Sequence, residues 1–159
     1  MIGLAAVAFA SHQVTLVTLD GEEIVIDPDR AGDPLVVHFW ATWCPACVDE
    51  LPQLDRLVRE RCSGRVRVIA VNLAESEEVI ARSVREWDLS LEVARDPDGG
   101  VFRQLAGGST PANYVRSPDG VSRSEGAMTM GEWAELLGRL GCANGTDGPR
   151  SSKLEWALR

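Results

Sequence analysis

The chain has few cysteines, no excess of positive charge and no long apolar run. Its 159 residues include four cysteines and 24 acidic against 16 basic side chains, for a net charge of −8. Four cysteines are too few for a disulfide-rich scaffold, and no stretch approaches the ~20 apolar residues of a membrane-spanning helix. An acidic chain without a basic stripe repels phosphate backbones, which argues against nucleic-acid binding.

What the chain does contain is the composition of an ordinary globular domain, with 45% hydrophobic and 25% charged residues. A chain of this length buries roughly two thirds of its unfolded surface, so it needs neither a metal nor a disulfide in order to fold. We expect one domain over residues 13–142 and a loose tail over 143–159. Residues 1–12 are either the remnant of an export segment or the lead-in to the first strand.

The hydrophobic pattern predicts an α/β fold. A hairpin at 14–26, turning at Asp20–Gly21, precedes three strand–helix units. The units comprise strands at 35–40, 66–73 and 91–94 and helices at 45–61, 76–87 and 101–105; a second hairpin at 112–127 and a helix at 131–140 follow. Alternating strands and helices imply parallel strands joined by crossover helices, with an antiparallel pair at one edge of the sheet.

Two cysteines, Cys44 and Cys47, lie where a buried strand ends and a helix begins. Disulfide exchange needs one exposed, ionised thiol and a second thiol that resolves the mixed disulfide. Cys44 falls at the helix N-cap and Pro45 in the first turn, where a missing backbone donor costs nothing. The free N–H groups and the helix dipole stabilise a thiolate at Cys44. The pattern therefore predicts a redox disulfide with Cys44 and Cys47 as catalytic residues.

The main alternative for this cysteine pair is half of a metal site. Tetrahedral zinc needs four ligands, and the remaining candidates, His12, His38, Cys62 and Cys142, are scattered along the chain. We therefore expect no metal and no bound cofactor. Soft thiolates also suit copper(I), so a copper or zinc chaperone that uses the same cysteines stays open.

The segment Phe39–Cys47, reading FWATWCPAC, together with Glu50–Pro52, resembles the TlpA/ResA-like branch of the thioredoxin superfamily. The likeness runs over residues 14–142 and includes Asp96–Gly99 and Gly108–Pro111. It implies a thioredoxin-like fold, with a central mixed sheet flanked by helices and an added N-terminal β-hairpin. It also implies a thiol–disulfide oxidoreductase. Many members of that branch serve cytochrome c maturation, so we expect a protein-disulfide reductase of the cell envelope, with thiol oxidation as the alternative direction.

The same resemblance implies two kinds of partner. One is a client protein with a disulfide or thiols, and the other is a separate electron-donor protein. We expect a monomer in the periplasm or another extracytoplasmic compartment, attached to a membrane only through an upstream anchor that is missing here, although the cytoplasm stays open. Peroxiredoxins share much of the fold, but Ala41 stands where their threonine is expected.

The resemblance also assigns roles to residues around the pair. Pro111 is expected to be a cis-proline that faces the disulfide and positions the client backbone, and Thr110 is expected to tune the potential. Glu50 matches an acidic residue of the family. It lies one turn beyond Cys47, so it either exchanges protons with that thiol or is a solvated helix glutamate.

His38 departs from the family pattern, which has Asp or Asn at this strand position. An imidazole beneath the pair either relays a proton to Cys47 or, if charged, stabilises a thiolate. We prefer a third interpretation, a neutral hydrogen-bonded core histidine. Trp40 and Trp43 flank the pair; they form an apolar collar around it, with Trp43 in contact with partners, or they are ordinary core and surface aromatics.

The last two cysteines offer a second disulfide. Cys62 ends the helix that carries the redox pair, and Cys142 follows the last helix. In the thioredoxin fold these helices lie on the same face and end at the same pole, so a bridge is feasible. We prefer free, inert thiols, because buried cysteines often behave as small hydrophobic side chains.

Overall fold

The computed structural model describes residues 13–143, which form a seven-stranded mixed sheet with four helices. The strands are β1 (Val14–Thr18), β2 (Glu23–Ile26), β3 (Leu35–Trp40), β4 (Arg67–Leu73), β5 (Glu92–Asp96), β6 (Ala112–Ser117) and β7 (Gly120–Glu125). The helices are α1 (Pro45–Arg61), α2 (Glu77–Glu86), α3 (Gly100–Leu105) and α4 (Met130–Arg139). The expected lead-in at 1–12 and the expected tail beyond residue 143 lie outside the described residues. None of these helices is long and apolar enough to cross a membrane.

The strand order is β2-β1-β5-β4-β3-β6-β7, with β5, β4 and β3 parallel. The expected antiparallel pair at one edge is present, and the N-terminal hairpin makes the other edge antiparallel as well. On one side β6 pairs with β3 and β7 with β6. On the other, the N-terminal hairpin joins the sheet through Val17 and Thr18 of β1, which lie opposite Arg95 and Ala94 of β5. The hairpin thus extends the sheet.

Strand β3 lies in the interior of the sheet, between β4 and β6, and all six of its residues are buried. Its side chains alternate between the two faces of the sheet. Val37 and Phe39 pack with β1, β2 and α3, whereas Val36 packs with α1 and α4 and Trp40 with α1 and α2. A strand covered on both faces reads as a continuous apolar run. The face towards α1 also carries His38, which places this imidazole under the redox helix.

A disulfide ties the end of α1 to the segment after α4. Cys62 and Cys142 are bonded and almost fully buried. The Ala143 N–H also donates to the Arg61 carbonyl at 3.0 Å. The preference for free thiols is therefore wrong. The pairing follows from the shared pole of α1 and α4, which brings two cysteines 80 positions apart into contact.

Candidate active site

Cys44 and Cys47 form a disulfide at the junction of β3 and α1. Cys44 is the N-cap of α1 and Pro45 is its first residue. The Cys47 N–H donates to the Cys44 sulfur at 3.2 Å. Negative charge at this sulfur therefore meets a backbone donor and the positive end of the helix dipole. The expected exposure of Cys44 is only marginal, at 5%, but Cys47 is fully buried, so Cys44 is the more accessible sulfur.

The peptide bond between Thr110 and Pro111 is cis, as the resemblance implied. Ala112 lies opposite Phe39 in the antiparallel β3–β6 ladder. Pro111 therefore adjoins the end of β3, where the chain turns towards Cys44. The Gly126 N–H donates to the Pro111 carbonyl at 2.8 Å, which fixes this peptide against the strand edge.

Glu50 lies on α1 and is buried, at 3% exposure. Its Oε1 atom accepts from the Trp133 indole N–H at 2.5 Å and from the Met128 N–H at 3.1 Å. Its Oε2 atom is buried and has no hydrogen-bond partner. The alternative of a solvated helix glutamate is therefore wrong. One turn from Cys47, the carboxylate has one oxygen anchored and one unengaged.

His38 is fully buried, and its Nδ1 atom lies 2.8 Å from the Asn113 amide oxygen. The Asn113 amide nitrogen donates to Ser124, so its oxygen faces the ring, Nδ1 carries the proton and Nε2 has a lone pair. Burial lowers the pKa of His38 below 6.5, against the opposing effects of the negative charge of Glu50 and the bond to Asn113. The structure therefore agrees with the neutral, hydrogen-bonded histidine, and proton relay stays a prediction.

The two buried groups share one neighbour. The Trp133 ring meets the His38 ring edge-on, with centroids 5.8 Å apart, while its N–H bonds Glu50. The His38 Nε2 atom, like the Glu50 Oε2 atom, is buried without a partner. The arrangement provides two proton-accepting atoms in the layer between β3, α1 and α4, with Glu50 one helical turn from Cys47.

The two tryptophans that flank the pair differ in exposure. Trp40 is fully buried, clusters with both cysteines and packs against Trp87 at 5.3 Å between ring centroids. Trp43 is 62% exposed beside Cys44. Trp40 therefore forms an apolar wall for the pair, and Trp43 offers an aromatic surface at its rim.

Sequence reasoning missed three residues of this site. Glu75 accepts two bonds from Thr42, which precedes the redox pair, and Asn113 and Trp133 hold His38 and Glu50. They lie 33, 75 and 83 positions from their partners, so no local pattern marks them. Asn113 alone lies in a predicted strand, and it shares a face of the sheet with His38 because the two residues lie opposite each other in the β3–β6 ladder.

No cluster of three or more His, Cys, Asp or Glu side chains that could hold a metal ion occurs within residues 13–143. The metal-chaperone alternative therefore has no third ligand of this kind in the described part of the chain. Zinc sites need that third ligand at least.

The AhpC/TSA family model matches residues 3–124. The thiol–disulfide oxidoreductase ResA of Oceanobacillus iheyensis is 33% identical over 104 residues, covering 64% of this chain and 54% of that protein. The sporulation thiol–disulfide oxidoreductase A of Bacillus subtilis is 29% identical over 126 residues, covering 74% and 75%. The thioredoxin-like protein YneN of Bacillus subtilis is 30% identical over 128 residues, covering 77% and 74%.

Solved structures show the same fold. MTB dsbF superposes with a TM-score of 0.71 at 25% identity, covering 80% of this chain and 95% of that one. A secreted Mycobacterium tuberculosis disulfide oxidoreductase homologous to E. coli DsbE gives a TM-score of 0.65 at 25% identity, covering 80% and 94%. StoA from Bacillus subtilis gives 0.63 at 25% identity, covering 77% and 96%. The predicted fold, including its N-terminal hairpin, is confirmed.

Proposed function

We propose that this chain, which belongs to the AhpC/TSA family, reduces client disulfides outside the cytoplasm through Cys44 and Cys47. Its relatives confirm the predicted class of thiol–disulfide oxidoreductase. One observation carries the proposal. The two cysteines are bonded at the N-terminus of α1, with the Cys44 sulfur capping the helix and the Cys47 sulfur buried behind it.

In the first step the Cys44 thiolate attacks one sulfur of the client disulfide. A bond forms between the Cys44 sulfur and that client sulfur, and the second client sulfur leaves as a thiolate. In the second step the Cys47 thiolate attacks the Cys44 sulfur, and the client leaves with both electrons as a dithiol. The protein then holds the Cys44–Cys47 disulfide seen here, and an electron-donor protein must reduce it again.

The second step needs a base, because Cys47 is fully buried and burial disfavours a thiolate. Glu50 lies one helical turn away with one oxygen unengaged. We assign the proton from Cys47 to Glu50, with His38 as a neutral neighbour that can share it through Nε2. Trp133 orients the carboxylate through its N–H.

The surroundings of the pair favour the reducing direction. No Lys or Arg occurs between Arg30 and Arg56, so the active-site segment brings no positive charge to the pair. A thiolate without a cation partner is less stable, and a less stable reduced form makes a stronger reductant. We expect a potential near or below that of thioredoxin, ~−270 mV, rather than near that of DsbA, ~−120 mV.

Two observations support the extracytoplasmic compartment. The second disulfide, Cys62–Cys142, is of a kind that persists in oxidising compartments and is rare in the cytosol. One matching structure is described as secreted. As the client we propose an apocytochrome c, whose C-x-x-C-H motif attaches haem and must be reduced first.

The test uses the full chain and a peptide that contains an oxidised C-x-x-C-H motif. Reduced protein should reduce the peptide, and Cys47→Ser should trap a mixed disulfide at Cys44, whereas Cys44→Ser should trap none. The potential follows from tryptophan fluorescence in dithiothreitol buffers. A potential near ~−120 mV would reverse the proposed direction, and equal trapping by both variants would overturn the assignment of Cys44 as the attacking residue.

A further inference from the structure

A second acidic side chain of the site, besides Glu50, contacts the segment that leads into the redox pair. The carboxylate of Glu75 accepts the Thr42 backbone N–H at 2.8 Å and, through its other oxygen, the Thr42 hydroxyl. The Asn72 side-chain N–H group donates to it as well, at 2.7 Å. Thr42 lies two positions before Cys44. One carboxylate thus joins the end of β4 to the active-site turn.

The backbone before Glu75 positions its carboxylate beside Thr42. Strand β4 ends at Leu73, and the next residue, Ala74, has a φ of +59°, which is uncommon for a residue other than glycine. The Ala74 N–H is held by the Asp96 carbonyl at 3.1 Å. Asn72 is 1% exposed and fixes the carboxylate from below. Backbone of this kind persists where the surroundings impose it, often at functional sites.

The segment between Thr42, which Glu75 contacts, and Cys44 is short. The Cys44 N–H donates to the Ala41 carbonyl at 3.2 Å, which makes residues 41–44 a turn. Two residues of chain span at most about 7 Å, so the separation of the carboxylate and the Cys44 sulfur is comparable with the Debye length, ~10 Å at 0.1 M salt. The turn sits at the edge of a buried site, where charges are screened less than in bulk water.

We propose that Glu75 is a positioning residue that holds the turn at residues 41–44 and, through its negative charge, makes the Cys44 thiol a weaker acid. This inference rests on the proposed exchange function of the pair. A weaker acid at Cys44 favours electron transfer to the client. The titratable side chains that accompany the pair include the buried His38 on β3 and Glu50 on α1 and the exposed Asp49 on α1, and all three stay unchanged in the variants below.

Glu75→Gln isolates the effect of the charge. The amide oxygen keeps the bond from the Thr42 N–H. The same oxygen keeps the bond from the Asn72 side-chain N–H group, and the amide N–H group, in the place of Oε1, can donate to the Thr42 hydroxyl oxygen. Glu78→Gln is the matched control, because it removes one charge from an exposed site whose partner is Arg82. Both variants change the net charge equally.

We expect Glu75→Gln to lower the pKa of the Cys44 thiol by about 0.5–1 unit, a three- to tenfold change in its dissociation constant. The pKa is read from the rate of iodoacetamide modification against pH in reduced full-length protein, with the modified cysteine identified by mass spectrometry. Glu78→Gln should leave the pKa unchanged. An equal pKa in Glu75→Gln and the wild type would overturn the electrostatic role, even if the wild type exchanges disulfides normally.

The positioning role has a separate readout. Above the pKa of the thiol, the rate of exchange with a small disulfide reports presentation of the sulfur rather than its ionisation. Thr42→Val removes the hydroxyl that Glu75 holds and should slow this rate several-fold, whereas Thr42→Ser should restore it. Equal rates in all three proteins would overturn the positioning role. A wild type that exchanges no disulfide would instead overturn the proposed function, and this inference with it.

Discussion

Removal of the Cys62–Cys142 disulfide should destabilise the domain strongly without impairing exchange. A cross-link lowers the entropy of the unfolded chain by about 2.1 + 1.5R ln n cal/mol/K for a loop of n residues. The separation here is 80 residues, which gives about 4.5 kcal/mol at 25 °C. The redox pair closes a loop of sequence separation 3, for which the same relation gives about 1.6 kcal/mol. We therefore expect Cys62→Ala/Cys142→Ala to cost about 3–4.5 kcal/mol.

The measurement is urea unfolding of the oxidised full chain. The double variant should show a lower midpoint, a larger m-value from its more expanded unfolded state, and a Tm about 6–18 °C lower. Cys44→Ala/Cys47→Ala is the matched control, since it removes two buried sulfurs and one bridge at a short loop. The control should lose less than half as much stability.

Exchange activity should survive in the Cys62→Ala/Cys142→Ala variant. Cys47 and Cys62 are separated by 15 positions along α1, or about 22 Å at 1.5 Å per residue. The redox pair and its buried acid therefore lie far from the lost bridge. A double variant that unfolds within about 1 kcal/mol of the wild type would refute the loop-closure reasoning. A double variant that folds normally but no longer exchanges disulfides would refute the claim that the second disulfide does not affect the redox pair.

Two further predictions concern the buried groups. Burial lowers the pKa of His38 below 6.5, so the unfolded chain binds a proton that the folded chain excludes as the pH falls through 6.5. His38→Asn should therefore flatten the decline of the unfolding free energy below pH 6.5, by up to about 1.4 kcal/mol per pH unit. Parallel curves of unfolding free energy against pH for the variant and the wild type would contradict this. Glu50→Gln keeps an acceptor for Trp133 but removes the base, so the mixed disulfide should persist roughly tenfold longer in stopped-flow experiments at pH 7, and an unchanged lifetime would exclude Glu50 as that base.

The central elements follow from local sequence. The apolar run of Leu35–Trp40 predicts a doubly covered strand, and the structure buries all of it. Pro45 and the apolar spacing after it predict a helix that the structure places at Pro45–Arg61. Both signals are contained within one element, so no tertiary information was needed. The redox pair at their junction was predictable for the same reason.

The features that sequence reasoning missed or left open depend on contacts between distant segments. The partner of β1 is β5, which no local pattern specifies, so the second antiparallel edge was not expected. The bond between Cys62 and Cys142 depends on how close the C-terminal ends of α1 and α4 lie to each other. The burial of Glu50 depends on Trp133 from α4. In each case the pattern of one element is compatible with several tertiary arrangements.

The unpartnered polar atoms of the fold are concentrated near the redox pair. Within residues 13–143, the buried side-chain nitrogen and oxygen atoms without a hydrogen-bond partner belong to His38, Trp40, Glu50 and Asn72. Each such atom costs about 1–3 kcal/mol. Trp40 and Asn72 lie opposite each other at the ends of β3 and β4, and Asn72 holds Glu75. Random imperfection of packing would scatter these atoms through the core. Two of them, the His38 Nε2 and Glu50 Oε2 atoms, can accept a proton, as the proposed exchange at a buried thiol requires, whereas the Trp40 indole N–H can only donate.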